Sequence, residues 1–196
     1  MTRRARLVAV LAVLVAGGVC VISSTQTWLD VTLTGGAEQA LAVSGTAALP
    51  VLAPLGLAAL ALGLALTIVG RVLRYVFGTL AVAIGATLMA MTWPVTQPRP
   101  IDQVAATVTD ATGLSGTQAV SDLVAQTTAT PWPWVTLAAA IVLMAGGVFT
   151  LITAHRWRGS GRRYRTDADT AGPATSRPHD AIDSWDDLSR GADPTS

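Results

Sequence analysis

Residues 132–154 read WPWVTLAAAIVLMAGGVFTLITA, twenty-three consecutive positions without an Asp, Glu, Lys, Arg or His. At about 1.5 Å of rise per residue, an α-helix of that length reaches about 34 Å, enough to cross a hydrocarbon core of about 30 Å. Three further stretches share this character: Leu7–Ser24, Leu49–Gly70 and Tyr75–Trp93, of 18, 22 and 19 residues. A soluble helix keeps a polar stripe facing water, and none of the four has one. The expected fold is therefore an all-α membrane protein built as a four-transmembrane-helix bundle, with spans 7–24, 49–70, 75–93 and 132–154.

Arginine placement predicts the orientation. Arg3, Arg4 and Arg6 precede the first span, Arg71 and Arg74 join the second to the third, and Arg156, Arg158, Arg162, Arg163 and Arg165 follow the fourth. The two long loops, 25–48 and 94–131, hold only Arg99. Positive charge is retained on the cytoplasmic side, which predicts both termini inside (N-in/C-in) and the long loops outside. Lys and Asn, whose codons are A-rich, are absent, which predicts a high-GC bacterium and so its plasma membrane. Trp28, Trp93, Trp132 and Trp134 fall at the outer boundary and Tyr75 and Trp157 at the inner one, where aromatic rings anchor at the headgroups. No small-residue cleavage motif follows the first span, so it is expected to be retained rather than removed as a signal. Gly17-Gly18-Val19 before Cys20 does not form a lipobox, and a lone cysteine leaves the loops without an intrachain disulfide.

The loops carry their own patterns. Leu29, Val31 and Leu33 alternate with Asp30, Thr32 and Thr34, then Gly35-Gly36 precede Leu41 and Val43, which predicts a small extracytoplasmic β-hairpin. Pro50 suits a first helical turn, whereas Pro54 is expected to bend the outer end of the second span. In the second loop, Ile101, Val104 and Val108 recur as one face of a short helix; Val120, Leu123 and Val124 predict another, with Thr117 as its cap. Within the spans, Ala59 and Gly63, Ala61 and Ala65, Ala81 and Gly85, and Gly146 and Thr150 are spaced for close helix packing.

The segment 155–196 is expected to form a cytoplasmic tail, mostly disordered. Arg156, Arg158, Arg162, Arg163 and Arg165 form a basic patch suited to contacting anionic lipid. Thr166–His179 is rich in Thr, Ala, Asp and Pro and cannot bury a core. Beyond it Ile182, Trp185 and Leu188 recur every three residues among Asp183, Asp186 and Asp187. An acidic amphipathic turn with an aromatic centre predicts a partner-docking peptide, formed by Ile182, Asp183, Trp185, Asp186 and Leu188. The same segment folding back on the arginine patch is the competing expectation.

Catalytic signatures are missing from the sequence. There is no phosphate-binding glycine loop, no H-E-x-x-H and no G-x-S-x-G, and His155 and His179 have no ligand-spaced companions. Asp102, Asp110 and Asp122 sit in solvated helical contexts, and His155 is expected at the membrane interface. The chain is thus expected to be non-enzymatic, with no catalytic residues, cofactor or metal, and with no nucleic-acid partner; its oligomeric state is left open. The lipid bilayer and a cytoplasmic protein are the partners the pattern predicts.

Several of these segments together resemble a known family. Thr27-Trp28-Leu29-Asp30-Val31, Val43-Ser44-Gly45-Thr46 leading to Pro50, Thr130-Pro131-Trp132-Pro133-Trp134, and Asp183-Ser184-Trp185-Asp186-Asp187-Leu188-Ser189-Arg190-Gly191 are similar to the tryptophan-biosynthesis-associated transmembrane proteins of high-GC Gram-positive bacteria. The resemblance implies an association with tryptophan synthesis genes and supplies no molecular activity. Two function classes follow: an accessory or scaffold protein, or a small permease or exporter subunit for tryptophan or an aromatic intermediate.

Overall fold

A computed structural model of the chain describes residues 2–34 and 40–156. The first helix, α1 (Thr2–Ser24), leads through a two-residue turn into strand β1 (Thr27–Leu33). Strand β2 (Leu41–Ser44) and a one-turn helix α2 (Gly45–Ala48) follow, then helices α3 (Leu52–Ala65) and α4 (Arg71–Thr92). Helix α4 continues as a 3-10 turn over Trp93–Thr96. Helices α5 (Ile101–Thr112) and α6 (Thr117–Leu123), strand β3 (Val124–Ala129) and helix α7 (Trp132–Thr153) complete the order, with a 3-10 turn at Ala154–Arg156.

Three helical segments have the length and composition of membrane spans: Arg4–Ser24, Val72–Thr96 and Trp132–Thr153. The fourth apolar stretch differs from the sequence expectation of a rod over 49–70. Its regular helix is the 14-residue α3, about 21 Å long. Irregular turns carry the chain on to Ile68, with Thr67 N–H donating to Leu64 and Ile68 N–H to Ala65. Pro54 is the third residue of α3, in the first turn, where an N–H would have no intrahelical acceptor, so the proline is accommodated there.

The helices form a row. Helix α1 packs against α3 on one side and α7 on the other, and α7 packs against α4; α3 and α4, consecutive in sequence, touch much less. Each flanking helix buries one stripe. On α4 it runs through Gly78, Ala81, Gly85 and Leu88; on α3 through Leu52, Gly56, Ala59 and Gly63. The other faces carry large exposed apolar side chains, among them Leu57, Leu64, Leu73, Val76 and Leu80. Such a surface is stable against lipid and not against water.

Backbone closeness holds the row together. A Cβ built on Gly147 would lie 2.8 Å from the Gly78 carbonyl oxygen, and one on Gly17 would lie 2.9 Å from the Leu60 nitrogen. Both positions need glycine for space rather than for a special dihedral. Of the small pairs expected from sequence, Ala59 with Gly63, Ala81 with Gly85, and Gly146 with Thr150 are buried, whereas Ala61 is exposed. Two threonine hydroxyls of α7 are satisfied within the helix: Thr150 Oγ1 donates to the Gly146 carbonyl at 2.8 Å and Thr153 Oγ1 to the Phe149 carbonyl at 2.6 Å.

Above one end of the row sits a cap. Its centre is a three-stranded antiparallel sheet in the order β2-β1-β3. The expected hairpin strands are present, and the expected alternation holds: Leu29, Val31 and Val43 are fully buried. The Gly35-Gly36 turn lies outside the described residues. The third strand corrects the sequence reading, which placed Val124 on a helix. Helix α6 stops at Leu123, and Val124–Ala129 joins the β1 ladder, pairing Asp30 with Thr128 and Thr32 with Gln126. Thr117 is the first residue of α6 rather than its cap, which is Gly116 at φ 111°. Val104 and Val108 of α5 and Val120 of α6 are fully buried, as their spacing predicts.

Candidate functional site

Two local constructions in the cap invite a chemical reading. The first is the seam where cap meets helices. Trp28 opens β1 yet lies 0% exposed, so it is not the interfacial anchor its position in the sequence predicts. Its indole Nε1–H donates to the Ser23 carbonyl at 2.9 Å and to Ser23 Oγ at 3.0 Å. Ser23 Oγ is in turn 2.7 Å from Thr136 Oγ1 on α7, so one buried chain of polar groups ties α1, α7 and β1. Gly45 completes the pocket for the ring, since a Cβ there would lie 2.8 Å from Trp28 Nε1 and 2.6 Å from the Ser23 carbonyl oxygen. Trp28 Nε1 and the two hydroxyl oxygens are each hydrogen-bonded within this chain, which is the mark of a structural joint rather than a vacant binding site. Trp93 and Trp134, by contrast, are 56% and 54% exposed and fit the expected anchoring role.

The second is a cavity of about 150 Å³ on the cap. It is lined by Pro98 and Arg99 ahead of α5, by Ser121 of α6 and by β3 at Val124, Gln126 and Thr127. Arg99 is exposed and, among the described residues, makes no hydrogen bond or ion pair. Sequence reading noted Arg99 only as the one base in the long loops. Its setting between Pro98 and Pro100 was the available signal, but the cavity needs β3, which local pattern did not reveal.

The residues expected to act from the tail lie elsewhere. Ile182, Asp183, Trp185, Asp186 and Leu188 fall outside the described residues, as do Arg158, Arg162, Arg163 and Arg165. Arg156 closes the 3-10 turn after α7. Asp102, Asp110 and Asp122 are exposed on the cap helices, and His155 is exposed just past α7. Among the described residues no three His, Cys, Asp or Glu side chains gather as a metal site would require. One basic residue departs from the sequence reading. Arg74, expected as a topogenic charge in a connecting loop, stands on the first turns of α4 and is only 3% exposed. The loop is short because α4 begins at Arg71, directly after Gly70 as its N-cap.

The model of the tryptophan-associated transmembrane proteins matches residues 10–195. The chain belongs to that family. The match takes in α1 from its ninth residue on, the other apolar helices and the whole cap, and it agrees with the resemblance carried by the loop motifs. No curated protein and no solved structure matches the chain. In this tryptophan-associated transmembrane protein, two of the motifs behind the resemblance meet in space. Thr130 N–H donates to the Trp28 carbonyl at 2.9 Å and Thr130 Oγ1 donates to the Thr27 carbonyl at 2.7 Å. The Trp-Pro-Trp entry to α7 is thereby fastened to the start of β1.

Proposed function

We propose that the protein is a non-enzymatic accessory or scaffold protein of the bacterial plasma membrane, working beside tryptophan-synthesis enzymes. The chain crosses the bilayer four times with both termini in the cytoplasm, and the cap of sheet and short helices faces outward. The acidic peptide formed by Ile182, Asp183, Trp185, Asp186 and Leu188 docks a cytoplasmic protein, and Arg156, Arg158, Arg162, Arg163 and Arg165 hold the tail's root at anionic lipid. Helix α3 serves as the fourth crossing; its 14 helical residues reach across with the help of the turns to Ile68 and local thinning of the bilayer.

The observation that carries this reading is the family match across residues 10–195, tail included, with membrane-length helices and the family's association with tryptophan.

The docking half is tested by a photo-crosslinker at position 185 in living cells, compared with a chain lacking residues 183–196. A specific protein adduct, lost with the deletion, is expected; an unchanged set of co-purifying proteins overturns docking. Topology is tested in a Cys20→Ala background with single cysteines at 126 and 185. An impermeant maleimide applied to intact cells is expected to reach 126 alone, and labelling at 185 overturns the orientation. Uptake and efflux of labelled tryptophan and indole decide against the permease class. A flux defect in a deletion strain, restored by the chain lacking the tail, overturns the scaffold reading.

A further inference from the structure

Strand β3 is an edge strand, because β1 occupies the centre of the sheet and β2 its other side. Protein edges of this kind are normally blunted by a charge, a proline or a covering element. Val124-Ala125-Gln126-Thr127-Thr128-Ala129 has neither charge nor proline. The ladder also fixes which backbone groups are free. Thr130 N–H donates to the Trp28 carbonyl, and antiparallel pairs alternate between bonded and non-bonded, so Asp30 with Thr128 is a bonded pair. Thr127 then directs its N–H and C=O away from β1. Thr127 is also part of the cavity wall.

Arg99 lines the same cavity as that edge and is a base left without a partner among the described residues, although Asp30, Asp102, Asp110 and Asp122 share the cap. Its guanidinium stays charged and offers a planar fork that matches a carboxylate. Between the two lies room for a small molecule: an enclosed cavity of about 150 Å³ holds a body the size of benzene, and this one measures about 150 Å³ and is partly open. Ser121 and Gln126 add uncommitted polar side chains to its wall.

We propose that this cavity binds a free α-amino acid. The carboxylate pairs with Arg99, the ammonium group donates to the free carbonyl of the β3 edge, and Ser121 and Gln126 hold the remaining polar atoms. A single guanidinium neutralises one carboxylate, whereas a phosphate would leave a second negative charge among the cap's aspartates. The site is independent of the tail and of its docking partner.

The test uses the full chain in phosphatidylcholine nanodiscs, titrated calorimetrically with glycine, L-serine, L-valine and L-tryptophan, each beside its primary amide, and with inorganic phosphate. Saturable binding of at least one acid is expected, weaker for its amide by about tenfold or more, the scale of a lost charge-assisted contact. Arg99→Gln should lose binding to a similar extent, with its thermal midpoint unchanged because Arg99 is exposed, and Arg99→Lys should fall between. Absence of saturable binding for all four acids up to about 10 mM, below which even weak sites register, overturns the proposal. So does equal affinity for acid and amide on the unaltered chain, unchanged binding by Arg99→Gln, or a preference for phosphate. The acid–amide comparison decides the matter even if the variants fail to fold.

Discussion

In the helices several close approaches fall at residues with no side chain: a Cβ on Gly17 would press on α3, one on Gly147 on the Gly78 carbonyl, and one on Gly85 on Ala140 and Met144. In the cap, burial falls to Leu29, Val31, Val43, Val104, Val108 and Val120. Both sets are sealed from solvent, but the forces differ. Lipid tails are as apolar as leucine, so helices gain little by hiding large side chains and associate through close backbone packing. The cap is read as facing water, where removal of apolar area supplies the drive. A cap of this size without a disulfide must therefore lean on its neighbours, and the Trp28–Ser23–Thr136 chain is where it does so.

That contrast can be broken or sharpened by substitution. Trp28→Ala should have the largest effect, because it empties a buried ring site shared by both regions; a loss of about 3–5 kcal/mol is expected. Denaturant titration in detergent micelles, followed by proteolysis within residues 97–101, should show cap and helices loosening together. If the helices keep full stability while the cap opens, the seam is weaker than its hydrogen bonds imply.

Gly147→Ala comes next. The new methyl would press on the Gly78 backbone and Val82, an overpacking that costs about 1–3 kcal/mol. Gly18→Ala is its control, since nothing lies within 4 Å of a Cβ there. Steric-trapping measurements in bilayers should separate the pair, and equal stabilities would remove close packing as the cohesive force.

Val108→Ala should cost about 1.6 kcal/mol for its two carbon groups at about 0.8 kcal/mol each, read as faster hydrogen exchange in α5 and β2. The helices should keep their exchange rates; a matching change there would erase the distinction between the two regions. The smallest effect is predicted at Thr92, fully buried on α4, whose Oγ1 has no hydrogen-bond partner among the described residues. Thr92→Val removes an unsatisfied group at constant shape and should shift stability by less than about 0.5 kcal/mol or raise it. A loss well beyond that, in the same micelle titration, would mean that the hydroxyl has a bound partner in the membrane.

Legibility followed the range of each interaction. The apolar runs near 7–24, 75–93 and 132–154, the faces of α5 and α6, and the alternation in β1 were visible because each depends on neighbours within a few turns. The buried position of Trp28 was not, because a tryptophan beside a span is an anchor unless something covers it. The short α3 was also hidden, since composition over 49–70 is uniform while its helix ends at Ala65. The amino-acid pocket was half visible: Arg99 stood out by charge, and its opposite wall did not.

Hydrophobicity and run length, both local quantities, determined from the chain alone that it carries membrane-length helices near 7–24, 75–93 and 132–154. Only the folded molecule decided that 124–129 is a strand, because its alternation is faint and its partner Asp30 lies 98 residues before Thr128. A backbone ladder spends its hydrogen bonds on whatever chain is brought alongside, and the packing of α1 against α7 brings those two segments together. The same approach buries Trp28 and leaves β3 with one unpaired edge.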